Sequence, residues 1–422
     1  MTTLITNIKQ LVGVRKTIEP DSRRALRGGK LAELPSIENA YLIIEDGVIA
    51  GYGSMDSIQN QRSNPDSYRG QNPIDASGQF ILPCWCDSHT HLVFAAGREE
   101  EFVDKIKGIS YAEIAAKGGG ILNSAKKLDD TSEDQLFTGA WKRLEEVSRL
   151  GTGAIEIKSG YGLSAQGELK MLRVIKKLKE KSTLSIKSTF LGAHAYPLQF
   201  KDNHQGYIDC IVNEMLPVIG REKLADYIDV FCESGFFSPG EMETICNAGM
   251  KHGLRPKLHV NQLHSIGGIE TGIKLNALSL DHLETLSDHE IAELSVADTV
   301  ATLLPTAAFF LRMSFPPARQ LIDAGCAVAL ASDYNPGSSP SGNMNLVISM
   351  ACIQMKMLPE EVINAATMNG AFAMELEKEV GSIEVGKKAN LIFTRSIPSL
   401  AYIPYSFGTN LIDKVMINGE FV

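Results

Sequence analysis

Two histidines separated by one residue, His89 and His91, end the stretch Asp87-Ser88-His89-Thr90-His91, which follows the apolar run Phe80-Ile81-Leu82-Pro83-Cys84-Trp85-Cys86. On an extended strand alternate side chains share a face, so both imidazoles can grip one metal ion. Two ligands make half a site, and the rest must come from later in the chain. Later strand-like runs end in His194, His259, His282 and Asp333. With His89, His91 and His259 giving nitrogens and Asp333 an oxygen, the set suits an ion of moderate hardness and leaves a position for water. A metal lowers the pKa of such a water towards neutrality, and Asp333 is placed to take its proton.

The elements that position these residues alternate. Strand candidates lie near 80–88, 153–158, 185–192, 228–233, 255–260, 278–282, 298–304 and 327–333, with helix-like stretches between them. Eight strands with intervening helices is the (β/α)8 count, and catalytic residues of such barrels gather at the C-terminal ends of the strands. The clearest helix spans Ala165 to Lys181, where Met171, Val174, Ile175 and Leu178 recur at helical spacing and the basic run between them can face water. Both ends of the chain are β-like. Tyr41 to Ile49 reads as a hairpin turning at Asp46-Gly47, and Gly381 to Gly386, Asn390 to Phe393 and Lys414 to Gly419 supply further short strands. The expected fold is therefore α/β: a (β/α)8 barrel over 80–379 inserted into a small β-sandwich-like domain built from 1–79 and 380–422. Glu19 to Pro35 reads as an exposed loop, and Gly118-Gly119-Gly120 as a flexible loop over the site.

With 422 residues, 44% of them hydrophobic and 22% charged, the chain is globular and large enough for one barrel and a satellite. A formal net charge of -9 argues against nucleic acid and anionic membrane as partners and in favour of a small molecule. The opening residues lack a basic then apolar leader, which makes the expected location cytoplasmic. Seven scattered cysteines do not form a disulfide framework. Cys84 and Cys86 read as core packing, and His204, His252, His264 and His289 as surface residues.

The strand-one H-x-H, the later histidines and the final Asp, on a barrel set into a terminal β domain, resemble the amidohydrolase superfamily of metal-dependent hydrolases. Within it, Asp87 to Phe94 with Arg98, Gly108-Ile109-Ser110-Tyr111, Gly118 to Ile121, Lys158-Ser159-Gly160-Tyr161-Gly162, Gly192-Ala193-His194-Ala195 and Ser332 to Pro340 are similar to the imidazolonepropionase family. The resemblance implies hydrolysis of the cyclic amide 4-imidazolone-5-propanoate to N-formimidoyl-L-glutamate, the third step of histidine degradation. It implies one zinc or iron ion on His89, His91, His259 and Asp333, and allows a homodimer. Substrate contacts would fall to Arg98, Tyr161, His194, Gln262, Asn335, Gly337 and Ser338. An Arg suits the propionate by a two-pronged pair, and the backbone at Gly337 can approach a ligand closely. His282 can polarise the ring carbonyl or hold its oxyanion.

Several positions depart from the pattern. Pro83-Cys84 replaces a common Pro-Gly, and Asn390 a common Asp. Gln262 stands where some members have Glu, and an amide cannot shuttle a proton, so that task falls to Asp333 with help from His282. Lys158 follows strand two, whereas a metal-bridging carboxylated lysine belongs to strand four, where the chain has Cys232-Glu233-Ser234. That favours one metal. The competing readings are an aminohydrolase of a cyclic amidine or nucleobase, which Gln262 disfavours for want of an acid, and a non-catalytic barrel, which the intact ligand set disfavours.

Overall fold

The structure, a computed structural model, describes residues 2–16, 25–60, 73–109 and 119–422. Part of the loop read over Glu19 to Pro35, and Ser110, Tyr111 and Gly118 of the motifs above, lie outside the described residues.

Eight parallel strands form the barrel: Trp85–Asp87, Thr152–Lys158, Ser185–Ala193, Tyr227–Cys232, Arg255–Val260, Ser279–His282, Val300–Leu303 and Ala327–Leu330. Helices cover their outer face, so most of these strands are buried from end to end. That is why they read as near-continuous apolar runs rather than as alternating ones. The first and last strands are joined just beyond their ends. Asp333 N donates to His89 O at 3.0 Å and His91 N to Tyr334 O at 2.9 Å. Asp87 reinforces the seam by accepting from Ser332 N at 2.9 Å and from Ser332 Oγ. The same seam thus closes the barrel and sets His89, His91 and Asp333 side by side.

The second sheet takes strands from both ends of the chain. Its order is Glu420–Phe421, Ile412–Ile417, Leu391–Thr394, Phe80–Pro83, Thr2–Val12, Ser36–Glu45 and Val48–Ser54, with Ile74–Asp75 beside Thr2–Val12. Ile5, Ile8, Leu11, Leu42, Ile44, Ile81, Leu391, Phe393 and Met416 form its core. The hairpin turns as expected at Asp46-Gly47, where φ values of 48° and 81° match the two-residue turn that Asp-Gly favours.

One strand assignment is corrected. The stretch near 80–88 is two strands in two sheets: Phe80–Pro83 pairs with Thr2–Val12 and Leu391–Thr394, and only Trp85–Asp87 enters the barrel. Cys84 is the crossing point, with its N–H given to Asn390 O at 3.0 Å. Both halves are buried and apolar, so hydrophobicity gives no sign of the change of sheet. The helix Ala165–Lys181 has the expected bounds, with Ser164 capping it through Gly167 N.

Candidate active site

Every barrel residue singled out for chemistry lies at the C-terminal rim. His89 and His91 follow strand one, His194 follows strand three, His259 lies in strand five, His282 ends strand six and Asp333 stands three residues beyond strand eight. Asp333 Oδ1 lies 3.5 Å from His89 Nε2 and 3.6 Å from His91 Nε2. These separations are too long for good hydrogen bonds. They match neighbouring donors around one ion, which bonds of about 2.0–2.2 Å in a tetrahedral shell would set roughly 3.3–3.6 Å apart. The ligating atoms of His89, His91 and Asp333 fall within 4.8 Å of one another, as do those of His89, His259 and His282. The two triads share His89, so the four expected ligands are spread over two overlapping groups, and His282 is a member of one of them.

The histidines are aimed from behind. Asp281 Oδ2 lies 2.7 Å from His89 Nδ1, and Asp229 Oδ2 lies 2.8 Å from His259 Nδ1. A carboxylate can only accept, so each Nδ1 carries the proton and each Nε2 offers its lone pair to the site. His89 Nε2 is buried without a hydrogen-bond partner among the described residues, as a lone pair awaiting a cation should be. Burial, with the neighbouring positive groups, holds the pKa values of His89, His91 and His259 well below the usual histidine value. All three are neutral and ready to ligate at pH 7.

Beneath them lies a buried ionic layer that sequence reading did not find. Lys158 Nζ lies 2.7 Å from Glu156 Oε1, 2.9 Å from Asp229 Oδ2 and 3.6 Å from Asp281 Oδ2, and Lys257 Nζ lies 2.9 Å from Glu156 Oε2. Burial alone would lower the Lys158 pKa, but three carboxylates outweigh it and raise it. Lys158 is thus held as an ammonium, and a carboxylated lysine needs the neutral amine. It ends strand two, and strand four closes on Cys232 with no lysine, both as expected.

Two residues of the cluster, Asp333 among the expected ligands and His282 beside them, are strained and electrically distinct. His282 and Asp333 have φ of 85° and 52°. A left-handed backbone at a histidine is costly and is found where the surroundings fix it, as at working sites. Burial pushes the Asp333 carboxyl up to about 6, with His282 pulling it down. Burial opposes a charged His282, but Glu284, whose Oε1 lies 3.3 Å from Nδ1, prevails and raises its pKa.

On the substrate side, Arg98 is half-buried with its Cζ 5.7 Å from the Tyr161 ring centre, and Tyr161 is buried against His91 and His194, ring centre to ring centre, at 5.8 and 5.5 Å. His194 Nδ1 lies 3.0 Å from Gly160 O, so it donates there and leaves Nε2 as an acceptor. Burial lowers the His194 pKa to about 4. Ser338 Oγ lies 3.2 Å from Asp333 Oδ2. Asn335 uses its whole carboxamide inside the loop, donating to Asp333 O and Ser338 Oγ and accepting from Gly337 N and Ser338 N, at 2.7–2.8 Å. It shapes the loop, so its amide is not free for substrate. Gln262 is partly exposed. Its loop is tied down by buried Glu233, which accepts from Leu263 N at 2.8 Å and His264 N at 3.1 Å. Glu168 does the same for the Tyr161 loop, accepting from Gly160 N, Gly162 N and Leu163 N at 2.7–3.1 Å. His204, His252, His264 and His289 are exposed, and Cys84 and Cys86 are buried, as expected.

Residues 237–422 match the model of the amidohydrolase family. An imidazolonepropionase of Flavobacterium johnsoniae is 56% identical over 422 residues, covering 100% of both chains. One of Parabacteroides distasonis is 42% identical over 99% of this chain and 98% of its own length. Among solved structures, guanine deaminase of E. coli superposes with a TM-score of 0.70 at 14% identity, over 100% of this chain and 99% of that one. An adenosine deaminase from Xanthomonas campestris with bound zinc gives 0.67 at 16%, over 99% and 92%. At these identities the two deaminases speak for the fold alone.

Proposed function

This chain belongs to the imidazolonepropionase family of the amidohydrolases, and from that premise we propose how its residues divide the hydrolysis of 4-imidazolone-5-propanoate to N-formimidoyl-L-glutamate. The observation that carries the reading is the convergence of His89 Nε2 and His91 Nε2 on Asp333 Oδ1, at 3.5 and 3.6 Å, above an intact orienting layer. His89, His91, His259 and Asp333 would hold one zinc or iron ion. When bound, the ion supplies Lewis-acid chemistry, polarising a water and the ring carbonyl.

The chain's own groups then handle protons and position. Asp333, its carboxyl near 6, takes the proton that the attacking water gives up and returns it to the ring nitrogen as the carbon–nitrogen bond breaks. His282, whose protonated form Glu284 favours, donates to the oxygen of the former ring carbonyl as negative charge gathers there. Arg98 holds the propionate, Tyr161 and the Gly337-Ser338 backbone wall the pocket, and His194 Nε2 accepts from a ring N–H. Gln262 hydrogen-bonds the ring and moves no proton. Asn335 acts through the loop it folds.

The same reading makes the protein a cytoplasmic enzyme and allows a homodimer. Its charge of -9 fits a soluble setting, and among the described residues no helix is long and apolar enough to cross a membrane. The test is direct: metal-replete protein is mixed with freshly generated imidazolone propionate, and loss of substrate absorbance is followed together with appearance of N-formimidoyl-L-glutamate. Absence of any acceleration overturns the reading.

A further inference from the structure

We infer that Ser124 is a positioning residue for Arg98 and decides which edge of its guanidinium meets the substrate's carboxylate. This rests on the role given to Arg98 above. A guanidinium is planar and offers a carboxylate two double contacts, a side-on edge of Nε and Nη2 and an end-on edge of Nη1 and Nη2. Ser124, buried on the helix Ile121–Asp129, accepts from Arg98 Nε at 2.9 Å. The side-on edge is thereby closed.

The opposite corner is fixed by close packing. Arg98 Nη1 lies so near Gly337 that a Cβ there would fall 2.4 Å from it, so only glycine admits the guanidinium in this pose. What remains is Nη2, buried and without a hydrogen-bond partner among the described residues. An unpaired buried N–H on a cation is costly unless a ligand completes it, so an anion meets Arg98 at Nη2, on the side away from the Nε edge that Ser124 closes. The two helices that meet at Arg98 are also fastened together. Glu101, in the helix Glu99–Ile106 that starts just after Arg98, accepts through Oε1 from Gly120 N at 2.9 Å, and Gly120 precedes the helix carrying Ser124.

Ser124→Ala frees Nε and lets the guanidinium swing, while leaving its charge in place. Binding of imidazole-4-propanoate, which keeps the carboxylate and lacks the ring carbonyl, is measured by calorimetry on the metal-loaded protein, beside its uncharged carboxamide. The expected result is about tenfold weaker binding of the propanoate, with the carboxamide unchanged. In turnover the loss falls on KM rather than kcat. In an Arg98→Lys background, which has no Nε–H to hold, adding Ser124→Ala should change nothing further. Equal weakening of propanoate and carboxamide, or full additivity with Arg98→Lys, overturns the inference, as does unchanged propanoate binding in Ser124→Ala where Arg98→Ala is impaired. If Arg98→Ala itself binds the propanoate normally, the underlying role of Arg98 is what fails.

Discussion

His259 Nδ1 lies 2.8 Å from Asp229 Oδ2, and Lys158 Nζ lies 2.9 Å from the same oxygen. The carboxylate is shared between the histidine it orients and the ammonium that balances it. Both oxygens accept here, Oδ1 from His259 N at 3.0 Å and Oδ2 from His259 Nδ1, and an amide offers only one accepting oxygen, so it puts an NH2 against one of these donors and loosens the fixed tautomer. Asp229→Asn should weaken metal binding by roughly 10–100-fold, read by competition with a chromogenic chelator, and Asp281→Asn should do the same through His89. Unaltered affinity in both variants would falsify the orienting role.

Lys158 is the hub of that layer, with 2.7–3.6 Å contacts to Glu156, Asp229 and Asp281. Lys158→Met leaves buried carboxylates without their counter-charge and should cost about 3–5 kcal/mol in urea unfolding. Bicarbonate should alter neither metal content nor turnover of the natural protein. Stimulation by bicarbonate would mean that Lys158 is carboxylated and that the ammonium assignment is wrong.

Arg98→Ala should mainly raise KM, by the equivalent of roughly 2–5 kcal/mol if the pair with the propionate is desolvated. Arg98→Lys should recover only part, because an ammonium cannot reproduce the fork. An unchanged KM in the alanine variant would move the carboxylate elsewhere. Asn335 would not inherit it, since its amide is fully engaged.

His194 gives a pH signature to stability. Its folded pKa is lowered to about 4 by burial, below the ordinary value of 6.5. As pH falls below about 6.5 the unfolded chain takes up this proton and the folded one does not, so stability is lost between about 6.5 and 4 and is unaffected above. His194→Gln removes the contribution. The fall in Tm of the metal-free protein from pH 7 to pH 5 should be smaller in the variant, and an equal fall would show that His194 titrates normally.

Asp333→Asn removes a ligand charge and the proton acceptor together, and its loss of turnover should far exceed that of Gln262→Glu. The glutamate variant should show no new acidic limb in its pH–rate profile. A much faster variant with such a limb would mean that proton transfer limits the natural enzyme and that Asp333 does not manage it alone.

The rim was legible in the sequence because His89, His91, His194, His259, His282 and Asp333 each sit at the end of an apolar run, a local pattern. The ionic layer was not. Glu156 and Asp229 stand between apolar neighbours and Asp281 after Leu280, where a carboxylate reads as a solvent-facing position; in a barrel buried on both faces each must find a cation, and Lys158, two residues from Glu156, reaches Asp229 and Asp281 on other strands while Lys257 reaches Glu156 from strand five. Glu168 likewise reads as an acid in the first turn of a helix, and only the fold shows it turned back onto the Tyr161 loop. Ser124 has no chemical signal in sequence at all, because its importance depends on the pose of Arg98.

The central claim is a single-ion centre that opens the imidazolone ring, and titration of metal-free protein with zinc or ferrous ion tests it most directly. Turnover of imidazolone propionate should rise linearly and break at about one equivalent per chain, because three imidazoles and Asp333 make one shell. A break at two equivalents, or turnover that does not depend on metal, would contradict it.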